Sequence, residues 1–206
     1  MPSDDRPQVV PPTATDIGAL VAAAPPRHRA AIVMLAGAGL RISELLGLTV
    51  ADVDFLRRTV RVDRQRLRSG GTGPLKTRRS ARTILLGKVV TEELSAHLVA
   101  FPSDEWLFTD DLGRPVTYYT WQDVWAPTRR AAGLDVDTHA LRHFYASALI
   151  SGGASVKVVQ ERLGHGSASV TLNTYAHLWP TDDELTRSVI DAAFAPLADS
   201  LRTDTA

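Results

Sequence analysis

The stretch THALRHFYASALISGGASVKVVQERLGHGSASVTLNTYAH, residues 138–177, decides how the whole chain is interpreted. If residues 138–152 form a helix, His139 and Arg142 lie on one face of it, about one turn apart. The double glycine at 152–153 ends that helix. A guanidinium beside an imidazole suits an anionic phosphate better than it suits a packed core.

Two shorter helices are predicted in the rest of this stretch. The first ends at Gly164, immediately before His165, because glycine readily takes the left-handed conformation that closes a helix. The second, capped by Ser167 or Ser169, carries Tyr175. A tyrosine placed near two histidines and an arginine is a candidate nucleophile for phosphorus.

These residues resemble the C-terminal half of the tyrosine recombinases, the phage integrase family. The resemblance rests on three motifs in the family's order, namely H-x-L-R-H at 139–143, L-G-H at 163–165 and T-x-x-T-Y at 171–175. Each motif alone is weak, because such short patterns occur by chance on many helices. Their joint order and spacing are what make the resemblance specific.

Two upstream segments extend the resemblance. The family has an arginine in a G-x-G-L-R-I-S-E-L segment, and Gly37–Leu48 reads GAGLRISELLGL with Arg41 in that place. It also has a lysine on a β-hairpin, and Pro74–Leu86 reads PLKTRRSARTILL with Lys76 there. The resemblance covers roughly residues 13–178, nearly the whole chain.

The resemblance implies a fold that is mainly α with a small antiparallel β-sheet (α+β), the tyrosine recombinase catalytic-domain fold. It implies six catalytic residues, supported by Glu44 and His143: Arg41, Lys76, His139, Arg142, His165 and the nucleophile Tyr175. Glu44, one turn after Arg41, is suited to orient a neighbouring cation, and His143 is interpreted as a structural histidine behind the site.

The same resemblance implies how DNA is cut and rejoined. Tyr175 attacks a phosphodiester, leaving a 3′-phosphotyrosine and a free 5′-hydroxyl, and a partner strand's 5′-hydroxyl reverses the step. The two arginines clamp the non-bridging oxygens, which forked guanidinium donors do better than lysine. The two histidines hydrogen-bond the phosphate and assist the tyrosine's proton, while Lys76 protonates the departing oxygen. No cofactor is implied, neither metal nor ATP.

Composition narrows the alternatives. At 206 residues the chain is long enough for one domain with a substantial core. It has no cysteine, which excludes disulfides, thiolate metal sites and cysteine nucleophiles. No apolar run reaches membrane-spanning length and the first residues do not form a signal peptide, so we expect a soluble cytoplasmic protein that does not enter a membrane.

The net charge is zero, but the charges are unevenly distributed. Residues 57–82 contain ten lysines and arginines and one acidic residue, Asp63, whereas residues 91–111 contain six acidic residues and no lysine or arginine. A basic block of this kind is often only a solvated face. Beside Lys76 it predicts contacts to a DNA backbone through Arg57, Arg58, Arg61, Arg64, Arg66, Arg68, Arg78, Arg79 and Arg82.

The predicted elements follow from periodicity and caps. We predict helices near residues 13–24, 27–38, 42–48, 88–101 and 118–132, followed by the three helical pieces of residues 138–177. Alternating residues 59–63 and 81–86, with a glycine-rich turn at 69–73, predict about three antiparallel strands, with Lys76 on the connection into the last. Trp121 and Trp125 are predicted to be core residues.

Three regions are predicted along the chain. Residues 1–12 form a disordered leader, 13–180 the catalytic domain, and 181–206 a helix and tail, the helix near 183–201, which can be exchanged between protomers. The family's N-terminal core-binding domain has no counterpart in this sequence, so the chain is either truncated or a naturally short member. The expected partner is double-stranded DNA, bound by a homo-tetramer that is monomeric in isolation.

Other interpretations remain open at this point. His139 and His143, at i and i+4, could hold zinc, although no third ligand is evident. His97 is interpreted as an exposed helix residue, and His177 either as a surface residue or as one that lies behind the site residues. A type IB topoisomerase would share the chemistry but relax supercoils, and an accessory module would bind DNA without cutting it.

Overall fold

The computed structural model describes residues 9–75, 80–179 and 186–195. Its elements confirm a mainly helical fold with small antiparallel sheets. The helices are α1 (Ala14–Ala23), α2 (Pro26–Ala38), α3 (Ile42–Leu45), α4 (Lys88–Ala100), α5 (Tyr118–Ala131), α6 (His139–Ser151), α7 (Val156–Leu163) and α8 (Ala168–Tyr175). Short 3₁₀ turns lie at Val50–Asp52 and Ala176–Leu178, and residues 186–195 are also helical.

The strands form two antiparallel sheets. They are β1 (Val53–Asp54), β2 (Thr59–Val62), β3 (Arg64–Arg66), β4 (Thr72–Pro74) and β5 (Arg82–Leu85). The first sheet has the order β1-β2-β5 and matches the predicted three strands, whereas β3 and β4 pair separately. The predicted turn at 69–73 is shorter than expected, because Gly70 and Gly71 alone take positive φ and β4 begins directly after them.

Several predictions concern residues that lie outside the described ranges. They are the greater part of the leader (1–8), the hairpin residues Lys76, Arg78 and Arg79, and residues 180–185 and 196–206 of the tail. In the ranges that the structure does describe, no helix is long and apolar enough to cross a membrane.

The helices begin and end at residues whose chemistry favours a boundary. Thr13 caps α1 through a capping box with Asp16, and the Ser155 hydroxyl accepts from the Val158 N–H at the start of α7. Gly39 and Gly164 close α2 and α7 in the left-handed conformation, with φ of 62° and 65°. These two glycines place the residues that follow them, Arg41 and His165, at turns rather than inside helices.

The core is divided into two parts. The main core is built from α1, α2, α4, α5 and the first sheet, with Leu141 of α6 joining it. A second group, here called the small cluster, consists of residues from α6, α7 and α8: Tyr145, Ala146, Ile150, Val159, Leu163 and Tyr175. The helix that carries Tyr175 therefore packs on the small cluster and not on the main core.

The two tryptophans of α5 are core residues, as predicted. Trp121 and Trp125 are 1% and 3% exposed, and their rings stack with centroids 5.9 Å apart. The Trp121 Nε1–H donates to the Thr138 hydroxyl at 3.0 Å. Because Thr138 immediately precedes α6, this bond fixes the start of the helix that carries His139 and Arg142.

The prediction that His97 is exposed is wrong. Its side chain is 5% exposed, and its ring lies beside those of Phe101 and Phe108. The Nε2–H donates to the Leu107 carbonyl at 3.1 Å, which leaves Nδ1 buried without a hydrogen-bond partner. Burial lowers the pKa of His97, against the opposing effect of the Leu107 bond. His97 lies at the helix position that faces the loop after α4, so its environment depends on tertiary packing.

We predict that acid destabilises the fold in part through His97. The unfolded state binds a proton near pH 6.5, whereas the folded state resists it, so the free energy of unfolding should fall as pH drops below about 6.5. The His97→Gln variant keeps a donor for Leu107 but cannot titrate, and its stability should fall less steeply. Urea unfolding at several pH values measures both slopes, and equal slopes would contradict the prediction.

Glycine is required at position 39 because the backbone there has a positive φ of 62° and because Tyr145 leaves no room for a Cβ. A Cβ at this position would lie 2.3 Å from Cδ1 of Tyr145. The Gly39 carbonyl also accepts a hydrogen bond from Arg142, at 2.6 Å from Nη1. The glycine therefore permits the contact through which α6 is joined to the turn before Arg41.

We predict that Gly39→Ala destabilises the protein far more than Gly71→Ala. Both glycines have similar positive φ, 62° and 68°, so both variants lose the same conformational freedom. Only Gly39→Ala adds a clash, which costs about 1–3 kcal/mol further. Denaturant midpoints of the two variants measure the difference, and equal losses would show that Tyr145 moves aside freely.

Candidate active site

Arg41 and Glu44 form one unit at the start of α3. The backbone N–H of Arg41 donates to Glu44 Oε2 at 3.0 Å, and its Nη1 donates to Oε1 at 2.8 Å. The Glu44 carboxylate is 1% exposed, whereas the Arg41 side chain keeps 34% of its surface. The carboxylate thus holds the guanidinium at the surface of the site, in agreement with the prediction that Glu44 orients a cation.

Arg82 corrects the sequence analysis, which grouped it with the DNA-backbone arginines. Its side chain is only 7% exposed and forms a salt bridge with Glu44, Nη2 to Oε2, at 2.9 Å. Its Nε donates to the Arg162 carbonyl at 2.9 Å. The alternation of β5 explains this, because Arg82 lies on the same face as the buried Ile84. That alternation was the available signal in the sequence.

Glu44 is consequently shared by two guanidinium groups. Burial alone would raise the pKa of its carboxyl, but the hydrogen bonds and charges of Arg82 and Arg41 outweigh burial and hold the pKa below its ordinary value. A carboxylate of this kind stays ionised, and removing one partner leaves a buried charge uncompensated.

Arg142 lies beneath Arg41. Its side chain is 1% exposed, and it donates to the Gly39 carbonyl and, through Nη2 at 2.5 Å, to the Leu163 carbonyl. Burial and the charge of Arg41 lower the pKa of Arg142 to about 9, so the group remains a cation at neutral pH. The two arginines are therefore close enough for their charges to interact, and they do not lie on opposite sides of the molecule.

His165 follows the left-handed Gly164. Its Nδ1 lies 2.9 Å from the Thr171 hydroxyl of α8. Burial, then the charges of Arg142 and Arg41, lower the pKa of His165 to about 3. A Cβ on Gly164 would lie 2.9 Å from Nη1 of Arg82, so this glycine lets the buried arginine approach the turn that positions His165.

His139 begins α6 and is exposed. It lines a groove of about 240 Å³ together with Arg41, Glu44, Gln65 and Ser80. Burial of part of the ring and the charge of Arg142 lower its pKa. His139 and Arg41 thus present their polar atoms to the same groove, which is large enough for a phosphate group.

Tyr175 differs from the prediction in its environment. Its side chain is 1% exposed, and its hydroxyl lies 2.7 Å from Nδ1 of His143. Burial raises the pKa of the phenol, although Arg142 opposes this. The side chain that hydrogen-bonds the Tyr175 hydroxyl is therefore His143, the residue interpreted from the sequence as a structural histidine.

Five of the six predicted catalytic residues thus lie in one region, while Lys76 falls outside the described residues. The charges of Arg41, Arg142 and His139 all act on His165. Arg142 acts in turn on Tyr175. Thr171 is a contact of the site that sequence reasoning missed, although it is the first residue of the T-x-x-T-Y motif.

Part of the basic block is paired with acids that lie just outside it. Asp52, whose side chain is fully buried, forms salt bridges with Arg61 and Arg64, and Asp54 pairs with Arg57. Counting charges between residues 57 and 82 missed both carboxylates. Of the described arginines in the block, Arg66 and Arg68 instead lie over the rings of Trp106 and Tyr118, at 4.9 and 4.1 Å from the ring centroids.

A second groove continues from the first. It has a volume of about 450 Å³, shares Thr138 and His139 with the first groove, and is also lined by Arg68, Tyr118, Gln122 and Arg129. Among the residues that the structure describes, no group of three or more histidines and acids could hold a metal ion. The described residues therefore offer no third ligand for a zinc ion held by His139 and His143.

Comparison with known proteins gives a consistent result. A model of the phage integrase family matches residues 13–181. The tyrosine recombinase XerA of Thermococcus kodakarensis is 32% identical over 166 residues, which cover 77% of this chain and 55% of that protein. The tyrosine recombinase XerD of Corynebacterium glutamicum is 35% identical over 160 residues, covering 74% and 48%. This chain spans about half the length of these curated relatives.

Solved structures show the same fold. The Tn1549 transposon integrase in complex with circular intermediate DNA has a TM-score of 0.77 and 25% identity, covering 92% of this chain and 69% of that one. The catalytic domain of bacteriophage HP1 integrase has a TM-score of 0.62 and 21% identity, covering 93% and 98%. The predicted catalytic-domain fold is confirmed.

We predict that Arg82→Ala destabilises the protein by about 3–5 kcal/mol, because it breaks a buried ion pair. The matched variant Arg68→Ala removes an exposed arginine whose main contact is the Tyr118 ring, and it should cost no more than about 1 kcal/mol. Thermal and denaturant unfolding of both variants measure this. If both variants lost similarly little stability, the prediction that Arg82 forms a buried, stabilising ion pair would be wrong.

Proposed function

The chain belongs to the phage integrase family, and we propose that it is the catalytic domain of a site-specific tyrosine recombinase. In this proposal Tyr175 attacks a DNA phosphodiester and forms a 3′-phosphotyrosyl intermediate, which a 5′-hydroxyl later resolves. The observation that supports it is the cluster of Arg41, Arg142, His139 and His165, in which Arg142 also acts on Tyr175.

Electrostatics supports a phosphate at this site. Phosphoryl transfer places charge on the non-bridging oxygens, and fixed cations stabilise that charge without reorganising. Arg142 is held in place by two backbone carbonyls and Arg41 by the buried Glu44. Both guanidinium groups are therefore positioned before the substrate arrives, and the anion would relieve their mutual repulsion.

The histidines are suited to hydrogen-bond the same phosphate. The pKa of His165, about 3, and the lowered pKa of His139 keep both rings neutral in the free protein. Each neutral ring has one N–H to donate. An incoming phosphodiester, which carries one negative charge, would raise both pKa values, because an opposite charge favours the protonated ring.

Double-stranded DNA is the substrate that the surroundings favour. The larger groove adjoins the one that holds Arg41, and the exposed Arg68 lines it, so a cation lies within reach of a second phosphate beyond the first. Relatives named tyrosine recombinases and a relative structure titled as a DNA complex point the same way. These names favour recombination over relaxation of supercoils. Assembly as a homo-tetramer on DNA, from monomers, stays a prediction.

The leaving group needs a general acid, and Lys76 is our proposal for that role. The sequence places it between β4 and β5, and β5 carries Arg82, which bonds Glu44. The end of that connection is thereby tied to the site. The proposal uses neither metal nor ATP, since the energy of the broken ester is kept in the phosphotyrosine.

We predict that Tyr175→Phe binds DNA like the wild type but forms no covalent adduct. A bound sequence is first selected from a pool of randomised duplexes, and a nicked suicide version then traps the intermediate. Denaturing gels should show the adduct for the wild type alone. Adduct formation by the variant would mean another nucleophile, and its absence from the wild type would favour a DNA-binding accessory module.

A further inference from the structure

The contact between Tyr175 and His143 joins two helices at the nucleophile. The phenol oxygen of Tyr175 lies 2.7 Å from Nδ1 of His143, and the ring centroids are 5.6 Å apart in an edge-on arrangement. His143 is on α6, one residue after Arg142, and Tyr175 ends α8. The distance is that of a direct hydrogen bond between the phenol and the imidazole.

The other site histidines are engaged elsewhere. Nδ1 of His165 lies against the Thr171 hydroxyl, and His139 faces the groove beside Arg41. In the described part of the chain, His143 is the titratable side chain that is hydrogen-bonded to the phenol. It therefore occupies the place from which a proton acceptor would act.

Burial makes a protein acceptor necessary. Tyr175 is 1% exposed and lies in the small cluster beside Tyr145, Leu163 and the partly buried Trp179. Bulk water has almost no access to the phenol, and burial raises its pKa. A phenol in this setting cannot attack phosphorus unless an adjacent group takes its proton.

The charge state of His143 suits that task. Burial, followed by the charge of His139, lowers its pKa to about 4, with Arg142 acting in the same direction and Asp137 against it. The ring is thus neutral at physiological pH, with one nitrogen lone pair free to accept. The His139 ring lies edge-on to His143, at 4.8 Å between centroids.

We propose that His143 is a catalytic residue whose Nδ1 takes the phenolic proton as Tyr175 attacks. This inference rests on the proposed function. In the step, a bond forms between the Tyr175 oxygen and phosphorus, the bond from phosphorus to the 5′ oxygen breaks, and that oxygen receives its proton from the general acid. The phenolic proton moves to Nδ1, which becomes an N–H.

The reverse step restores the starting state. When a 5′-hydroxyl attacks the phosphotyrosine, the departing phenolate recovers the proton from His143. The imidazolium formed in between stands next to the phosphate already held by Arg41 and Arg142, so its charge is compensated. No oxidant, metal or further reactant is consumed.

The test uses His143→Asn with His177→Asn as its matched control. Asparagine keeps an acceptor oxygen near the position of Nδ1 but cannot carry the proton at neutral pH. His177 is exposed, two residues after Tyr175, and lies 3.1 Å from the Val9 carbonyl. Single-turnover cleavage of the nicked suicide duplex should slow by about 10²-fold or more in His143→Asn, which is the usual contribution of a general base, and stay unchanged in His177→Asn.

The pH profile separates proton transfer from positioning. With His143 present, this group contributes no pH dependence between pH 6 and 9. In His143→Asn the phenol must lose its proton to solvent, so the logarithm of the rate should rise with pH across that range. A duplex with sulfur in place of the bridging 5′ oxygen needs no general acid, and His143→Asn should remain slow on it.

Three outcomes would overturn the inference. They are a wild-type rate in His143→Asn, a slowed variant whose pH profile matches the wild type, and full recovery on the sulfur substrate, which would assign His143 to the leaving group. Each assumes that the wild type forms the adduct. If the wild type forms no adduct on a duplex that it binds, the proposed function itself is wrong. Failure of the proposed function is thus distinguished from failure of the role proposed for His143. Circular dichroism and DNA affinity of both variants confirm that they are folded.

Discussion

The buried carboxylate of Glu44 joins three segments that are far apart in the sequence. It holds Arg41 at the turn after α2 and Arg82 on β5, and Arg82 in turn bonds the Arg162 carbonyl at the end of α7. One residue further along α7, the Leu163 carbonyl accepts from Arg142. This network of ion pairs and hydrogen bonds thereby sets the spacing between Arg41, Arg142 and the turn that carries His165. Because removing one partner would leave a buried charge uncompensated, each contact of this network depends on the others.

The tyrosine side of the site has a different construction. Tyr175 packs on the small cluster formed by α6, α7 and α8, and its hydroxyl bonds His143. Burial keeps water from the phenol and raises its pKa, so in the proposed reaction the packing that protects Tyr175 also makes it harder to ionise. In the proposed reaction, the neutral imidazole of His143 accepts the phenolic proton, and Arg41 and Arg142 stabilise the charge of the phosphate. The dry packing and the proton acceptor are thus parts of one arrangement.

Charge is organised locally rather than over the whole chain. The net charge is zero, yet Arg41 and Arg142 lie close together, while Arg61 and Arg64 are paired with the carboxylates of Asp52 and Asp63. Pairing of the flanking arginines concentrates the uncompensated positive charge at the site and the adjoining grooves. A neutral protein can therefore still present a phosphate-binding surface, because the potential near a surface depends on the closest groups and on their burial.

The order of the motifs, the helix caps and the alternation of the strands are local properties. The sequence alone therefore determined the fold class and the helix boundaries near Gly39 and Gly164. It also singled out Arg41, His139, Arg142 and His165, which the structure brings into one cluster. Only the tertiary structure decided that Arg82 is buried with Glu44, that His97 lies in the core and that His143 touches the tyrosine. These outcomes depend on which face of a strand or helix meets another element. Spacing along the chain limits which face can be buried, but the element that packs against that face determines which residues are in contact.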